Sequence, residues 1–324
     1  MRRRPPALSS TLSNPKTMRT RPFKQVDVFT ATPYLGNPLA VVLDGAGLSD
    51  DDMQRFARWT NLSETTFLLP PSSQEAAAGA DYRVRIFTPA NELPFAGHPT
   101  LGSCHAWLEA GGSPKAGNEI VQACQVGLVR IRRDGTRLAF TAPPLKRSQP
   151  DAALLSQVAA ALGLQASQIR TAQVLNNGPT WLGLLLDSPD TVLQLKPDHK
   201  ALRGLGQEVG VAAVKPSQGA SLLIARSNRE ARAFGPRSSA PEPVEIEVRA
   251  FVSLLGVEED PVTGSLNASL AQWLIADGIL PADYTATQGT SLGRAGLVTL
   301  SQDASGQVWV GGDTTTCING TINL

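Results

Sequence analysis

The chain has 324 residues, 42% hydrophobic and 18% charged, and its 29 Lys and Arg against 28 Asp and Glu leave a net charge of +1. That length accommodates two domains or one large one with a sizeable core. The balanced charge offers no basic footprint for nucleic acid or an anionic membrane, and no window approaches the roughly 18 apolar residues of a membrane span. Cys104, Cys124 and Cys317 are odd in number and far apart, so reduced thiols in a cytoplasmic protein are the expectation. His98, His105 and His199 lack zinc-ligand spacing, and no phosphate loop or dinucleotide fingerprint is present, so neither a metal nor a cofactor is expected. Residues 1–21 are basic and rich in Pro and Ser, without the apolar core of a signal peptide, and read as a disordered tail outside the fold.

In chain order, residues 23–29 alternate as a strand, a turn-rich loop ends in Gly36-Asn37-Pro38, and residues 39–43 form a second strand. Ser49 followed by Asp50, Asp51 and Asp52 predicts a helix start, running to about Trp59. Residues 66–69 are apolar and strand-like, and a Ser- and Ala-bearing loop follows. Residues 83–87 alternate, and a loop carrying Glu92, Gly97 and His98 leads to a helix from about Thr100 to Glu109, with Pro99 suited to its first turn. Strands are expected at 119–121, 126–132 and 137–141, the last two joined at Asp134-Gly135. Pro143-Pro144 marks the main boundary, dividing residues 22–142 from residues 143–324.

Beyond it the pattern predicts a helix over 152–162, strands at 173–175 and 181–186, a helical stretch over 199–209 and a strand at 221–225. Residues 228–243 read as a long Pro- and Ser-bearing loop. The motif around residue 85 then returns about half a chain later. Arg249 and Phe251 stand as Arg85 and Phe87 do, an acidic loop follows, and Thr263-Gly264-Ser265 opens a helix reaching Trp273. A strand, acidic loop and helix occurring twice suggest duplication. Short strands at 285–288, 296–300, 308–310 and 316–318 complete an α+β chain.

Each candidate for chemistry has an ordinary reading of its own. Glu64 is either a solvated turn residue or a carboxylate whose burial raises its pKa into the acid/base range. His98 stands at a helix start, where an imidazole beside free N–H groups could serve an anion site or be incidental. Asp260 could cap a helix, and Ser265 could pad a first turn. Taken together, two helix N-termini, an imidazole and two carboxylates from both halves would line an interdomain cleft suited to moving a proton next to a carboxylate.

The stretches GNPLAVV (36–42), LSETTF (62–67), RIFTPANELPFAGHPTLG (85–102), EEDPVTGS (258–265) and QGTSLGRAG (288–296) resemble the phenazine-biosynthesis isomerase family, PhzF-like, within the diaminopimelate epimerase fold. The resemblance implies two similar domains, each a barrel-like, mostly antiparallel sheet around a central helix, the last strand possibly crossing back to the first domain. It implies Glu64 as the proton carrier, flanked by His98 and Asp260, and a substrate carboxylate held at Gly97, Gly264 and Ser265. It further implies a homodimer and a small carboxylic acid substrate, with trans-2,3-dihydro-3-hydroxyanthranilate isomerisation as the family's named reaction. Related epimerases use paired cysteines. Here Cys104 lies inside the helix and the second loop has none, so an epimerase or racemase reading would have to be cysteine-independent, and a non-catalytic binding protein is the remaining alternative. Val252-Ser253-Leu254-Leu255 and Leu266 depart from the family pattern and leave the substrate open.

Overall fold

The computed structural model describes residues 18–216, 244–253 and 257–324. The expected strand at 221–225, the loop at 228–243 and most of the expected tail lie outside them. Among the described residues, eighteen strands hydrogen-bond into one connected network, and seven α-helices pack against it. The fold is a sheet-dominated α+β architecture.

Chain order begins with β1 (Thr20–Val28), β2 (Asn37–Val42), α1 (Asp50–Thr60) and β3 (Thr65–Leu69). Then come α2 (Ser73–Ala77), β4 (Tyr82–Phe87), β5 (Glu92–Leu93) and α3 (Gly97–Glu109). Strands β6 (Glu119–Cys124), β7 (Gly127–Asp134), β8 (Arg137–Thr141) and β9 (Lys146–Ser148) precede α4 (Ala152–Leu162), β10 (Ile169–Asn176) and β11 (Thr180–Leu186). Next are α5 (Pro189–Gln194), α6 (His199–Leu205), β12 (Glu208–Val214), β13 (Glu245–Phe251), β14 (Glu259–Asp260) and α7 (Gly264–Ala276). The chain finishes with β15 (Asp283–Gln288), β16 (Gly296–Gln302), β17 (Val308–Gly312) and β18 (Thr314–Asn323).

Several expectations are corrected. The first strand starts at Thr20, so Thr20 and Arg21 are not tail. Arg21 is buried and donates to the carbonyls of Asp44 and Ala46, while Thr20 pairs with Asn323. The Ser- and Ala-bearing loop contains α2, capped by Ser72 and Glu75 in a capping box that the sequence displays as S-x-x-E. The helix expected over 199–209 stops at Leu205. Gly206 takes a left-handed φ of 67°, which ends the helix, and the apolar run after it becomes β12. The helix expected from Thr100 begins at Gly97, which draws His98 and Pro99 into its first turn.

One sequence of pairings occurs twice. β2 runs parallel to β3, β3 antiparallel to β4, and β4 parallel to β6. Likewise β11 runs parallel to β12, β12 antiparallel to β13, and β13 parallel to β15. Each unit then turns back through a two-residue strand into a thirteen-residue helix, α3 or α7. The arginines hold these turns. Arg85 forms a two-point ion pair with Glu92 at 2.7 Å, and Arg249 does so with Glu259 at 2.7 and 2.9 Å. Each guanidinium also lies 5.0 Å over the ring of Phe87 or Phe251. Sequence spacing predicted this repetition, and these contacts explain why the arginine, phenylalanine and acid recur together.

Both helices are almost wholly enclosed by apolar neighbours, with Leu101 and Cys104 of α3 and Leu266, Leu270 and Trp273 of α7 fully buried. A second core lies under α4, α5 and α6, against the odd-numbered residues of β12. No helix among the described residues is long and apolar enough to cross a membrane.

Candidate functional site

In the first unit, β2 and β3 are parallel, so Asn37 at the start of β2 and Glu64 just before β3 lie at the same end of the sheet. β4 runs back to that end and delivers the chain through β5 to the N-terminus of α3. The second unit brings β14 and the N-terminus of α7 to the same place. The two helix starts meet there: a Cβ on Gly97 would lie 3.0 Å from Gly264 Cα and 2.8 Å from Phe140 Cζ. Only glycine permits that approach.

Around the contact stand the predicted residues. His98 is 4% exposed, and its Nε2 lies 3.3 Å from Glu64 Oε2, with the Glu64 side chain 13% exposed. The pair is close but not aligned as a hydrogen bond, and neither atom has another hydrogen-bonding partner among the described residues. Asp260 joins through Asn37, whose Nδ2 donates to Asp260 Oδ1 at 2.9 Å and to the Val262 carbonyl at 2.9 Å, and faces His98 Nδ1 at 3.2 Å. A ring nitrogen facing an amide NH₂ has to be the bare one, so the His98 proton resides on Nε2, the nitrogen 3.3 Å from Glu64 Oε2. Asp260 Oδ2 accepts from Thr263 Oγ1 at 2.6 Å.

Burial sets the protonation states. With no solvent to support its charge, and with Asp260 nearby as a second cause, Glu64 is pushed up to about 8. Desolvation lowers His98 to about 3, so the imidazole is neutral at working pH and the close pair is not an ion pair. Burial raises Asp260 to about 6, with the Thr263 and Asn37 hydrogen bonds opposing it. Near neutrality the site thus holds a protonated Glu64, a neutral imidazole and a mostly ionised Asp260.

The helix starts differ from the others in one respect. Ser49, Ser72, Asp151, Ser188 and Asp198 each accept a backbone N–H at the starts of α1, α2, α4, α5 and α6. Neither Ala96 before α3 nor Thr263 before α7 makes a side-chain cap. The Thr263 hydroxyl is diverted: it donates to Asp260 and accepts from Gln288 Nε2 at 2.9 Å. The first-turn N–H groups of Gly97, His98, Gly264 and Ser265 therefore converge uncapped, an arrangement that attracts an anion. Ser265 is half-buried, and its Oγ accepts from Trp181 Nε1 at 3.3 Å while its hydroxyl proton stays available.

Sequence reasoning did not single out Asn37 and Gln288. Both are fully buried. Gln288 accepts from Thr263 N and Asn267 Nδ2, and donates to the Asp260 carbonyl and Thr263 Oγ1, locking the loop that carries Asp260. A polar amide beside Pro38 at a strand start, and another ending a strand before Gly289, were the available signals. Cys104 is buried and its thiol is pushed up to about 12, so it supplies no thiolate.

Comparisons with known proteins agree with this architecture. Residues 26–320 match the PhzC-PhzF family model, described as phenazine biosynthesis-like protein. The chain is 35% identical to Antisense-enhancing sequence 1 of Schizosaccharomyces pombe, over 94% of this chain and 99% of that one. It is 32% identical to a trans-2,3-dihydro-3-hydroxyanthranilate isomerase of Pseudomonas fluorescens, over 92% and 98%. Among solved structures, a Bacillus anthracis phenazine biosynthesis protein of the PhzF family superposes with a TM-score of 0.76 at 19% identity, over 95% of this chain and 100% of that one. The chain is an isomerase and belongs to the phenazine biosynthesis-like, PhzC-PhzF, family.

Proposed function

We propose that the protein moves a proton between two carbons of a small unsaturated carboxylic acid, with Glu64 as the carrier. One observation carries the reading: a carboxyl raised to about 8 faces a neutral imidazole beside two uncapped helix starts. The substrate carboxylate would sit on the N–H groups of Gly97, Gly264 and Ser265, where the helix dipoles favour negative charge. Ionised Glu64 takes a proton from a C–H adjacent to the conjugated acid. The electron pair spreads into the π-system, and the same carboxyl returns the proton to another carbon. The His98 Nε2–H supports the ionised form and withdraws nothing from the neutral one. Asp260 keeps the Glu64 proton transferable by disfavouring its charge. No electrons leave the substrate, so the chemistry needs no redox group.

The repeated strand and helix units favour two similar domains, residues 22–142 and 143–324, with the site between them. The Pseudomonas fluorescens relative named for trans-2,3-dihydro-3-hydroxyanthranilate makes that compound the first one to assay. Glu64→Gln should lower turnover by about 10³-fold while leaving the fold intact. Turnover within a few fold of wild type in that variant would remove Glu64 from the mechanism. Product NMR in heavy water separates a shifted double bond from inversion at one carbon.

A further inference from the structure

The hydrogen bond from Asn37 to Asp260 joins residues 223 positions apart in the chain. One turn, residues 288–294, holds both of its ends. Gln288 opens the turn and fixes the Asp260 side, donating to the Asp260 carbonyl and to Thr263 Oγ1. Arg294 closes it and grips the segment before Asn37. Its Nη1 donates to the Tyr34 carbonyl at 2.9 Å and to the Gly36 carbonyl at 3.4 Å. The Ala295 N–H takes the Leu35 carbonyl between them at 2.8 Å. Successive carbonyls leading into Asn37 are thus received by two neighbouring residues from the other end of the chain.

The turn is itself anchored. Thr290 Oγ1 donates to the buried Glu247 carboxylate at 2.7 Å. A Cβ on Gly289, at a φ of 91°, would meet the Pro261 carbonyl at 2.7 Å, so the turn lies directly against the loop of Asp260. The segment it grips needs that support. Phe29 and Tyr34 have left-handed φ angles of 65° and 73°, which bulky side chains rarely adopt and which persist only where contacts hold them. Asp27 supplies the opposite hold, its Oδ2 accepting from Gly36 N at 2.9 Å. Arg294 takes the carbonyls of this strained turn, and Asp27 takes an N–H.

We propose that Arg294 is a positioning residue, which through this turn sets the Asn37 amide between His98 and Asp260. With Asn37 in place, His98 Nδ1 is kept bare, and Asn37 joins Thr263 in opposing the effect of burial on Asp260. Asp260, after burial itself, disfavours charge on Glu64. The other titratable groups facing these carboxyls are His98 on α3, Glu208 at the start of β12, and Glu259 on β14, where it pairs with Arg249. The Arg294 bonds involve none of them. Only the kinetic part of the test rests on the Glu64 mechanism of the proposed function.

Heteronuclear NMR of isotope-labelled histidines reads the positioning without any substrate, because a bare and a protonated ring nitrogen differ in shift. The chain has three histidines, and the His98 signals are those absent from His98→Gln. Wild type should show His98 with a bare Nδ1 and a protonated Nε2. Arg294→Met keeps the apolar stem and removes the donors. It should give a mixture of tautomers, and kcat/KM for trans-2,3-dihydro-3-hydroxyanthranilate should fall about tenfold, with the pH limb moved to lower pH. The sign follows from Asp260: with the Asn37 bond weakened it is protonated more often, and its charge weighs less on Glu64. Arg294→Lys, with one donor group, should retain most of the wild-type tautomer. A single wild-type tautomer in folded Arg294→Met overturns the proposal, even where thermal stability falls, as a merely structural role would give. A mixture already present in wild type overturns it as well. If Arg294→Met does not fold, Arg294→Gln is read in its place by the same criteria. A mixed tautomer with an unmoved limb keeps the role of Arg294 and removes the influence of Asp260 on Glu64.

Discussion

At the residue scale, Glu64 is held in a state that costs folding energy. Its ordinary pKa is 4.5 and the folded value is about 8, so between those pH values the folded protein keeps a proton that the unfolded chain releases. The sign follows: the stability tied to this proton is fully present below pH 4.5 and is lost as pH rises through 8. Glu64→Gln removes the effect. Its melting temperature should exceed wild type by an amount that grows from pH 5 to pH 8, corresponding to about 4 kcal/mol at the upper end. A gap that stays constant across this range, measured by calorimetry, would mean that Glu64 is not buried as described. His98 runs the other way. Its folded value of about 3 lies below the ordinary 6.5, so its contribution is present above 6.5 and disappears on acidification. Asp260 tunes its neighbour. On the proposed role of Glu64 as the base that must be ionised, kcat/KM should rise with pH through a midpoint near 8 and level off above it. In Asp260→Asn that limb should move to lower pH, stopping short of 4.5 because burial persists. A pH–rate profile with an unmoved limb would separate the two carboxyls.

At the element scale, the helices of the site are distinguished by what they lack. Five helices carry the side-chain caps that stabilise a typical start by about 1 kcal/mol, and the two at the site forgo them. On the proposed reading, those free donors hold the substrate carboxylate. The contact of Gly97 with Gly264 is the other element-level constraint. Gly97→Ala should cost about 1–3 kcal/mol and reduce activity, since the new methyl must displace either Phe140 or the partner helix. Retained stability together with full activity would show that the helix starts have room to separate. Capped helices and alternating strands were readable: Ser49 with three acids located α1, and residues 152–162 matched α4 in full. The helix expected through Val209 was not, because a short apolar run fits strand and helix alike, and Gly206 had to arbitrate.

At the scale of the whole molecule, the first and last strands of the described residues lie together. β18 pairs with β1 from Thr20↔Asn323 to Val28↔Thr314, while β17 pairs with β8, so the last residues are built into the first unit. Deleting residues 314–324 should expose the edge of β1 and reduce the melting temperature by about 10 °C or more, with activity lost in parallel. Unchanged thermal denaturation would show that β18 is dispensable.

The sequence by itself determined the α+β class, most strand and helix positions, the duplicated motif, and the candidates Glu64, His98, Asp260, Gly97, Gly264 and Ser265. These follow from local rules of alternation, capping and turn chemistry, and from motif order, all of which operate over neighbouring residues. Tertiary structure alone decided that these residues meet, that Asn37 bridges His98 to Asp260, and that Arg294 grips the turn before Asn37. It also decided the protonation states. A carboxyl at 4.5 and one at about 8 are spelled identically in sequence, and only burial beside another charge separates them.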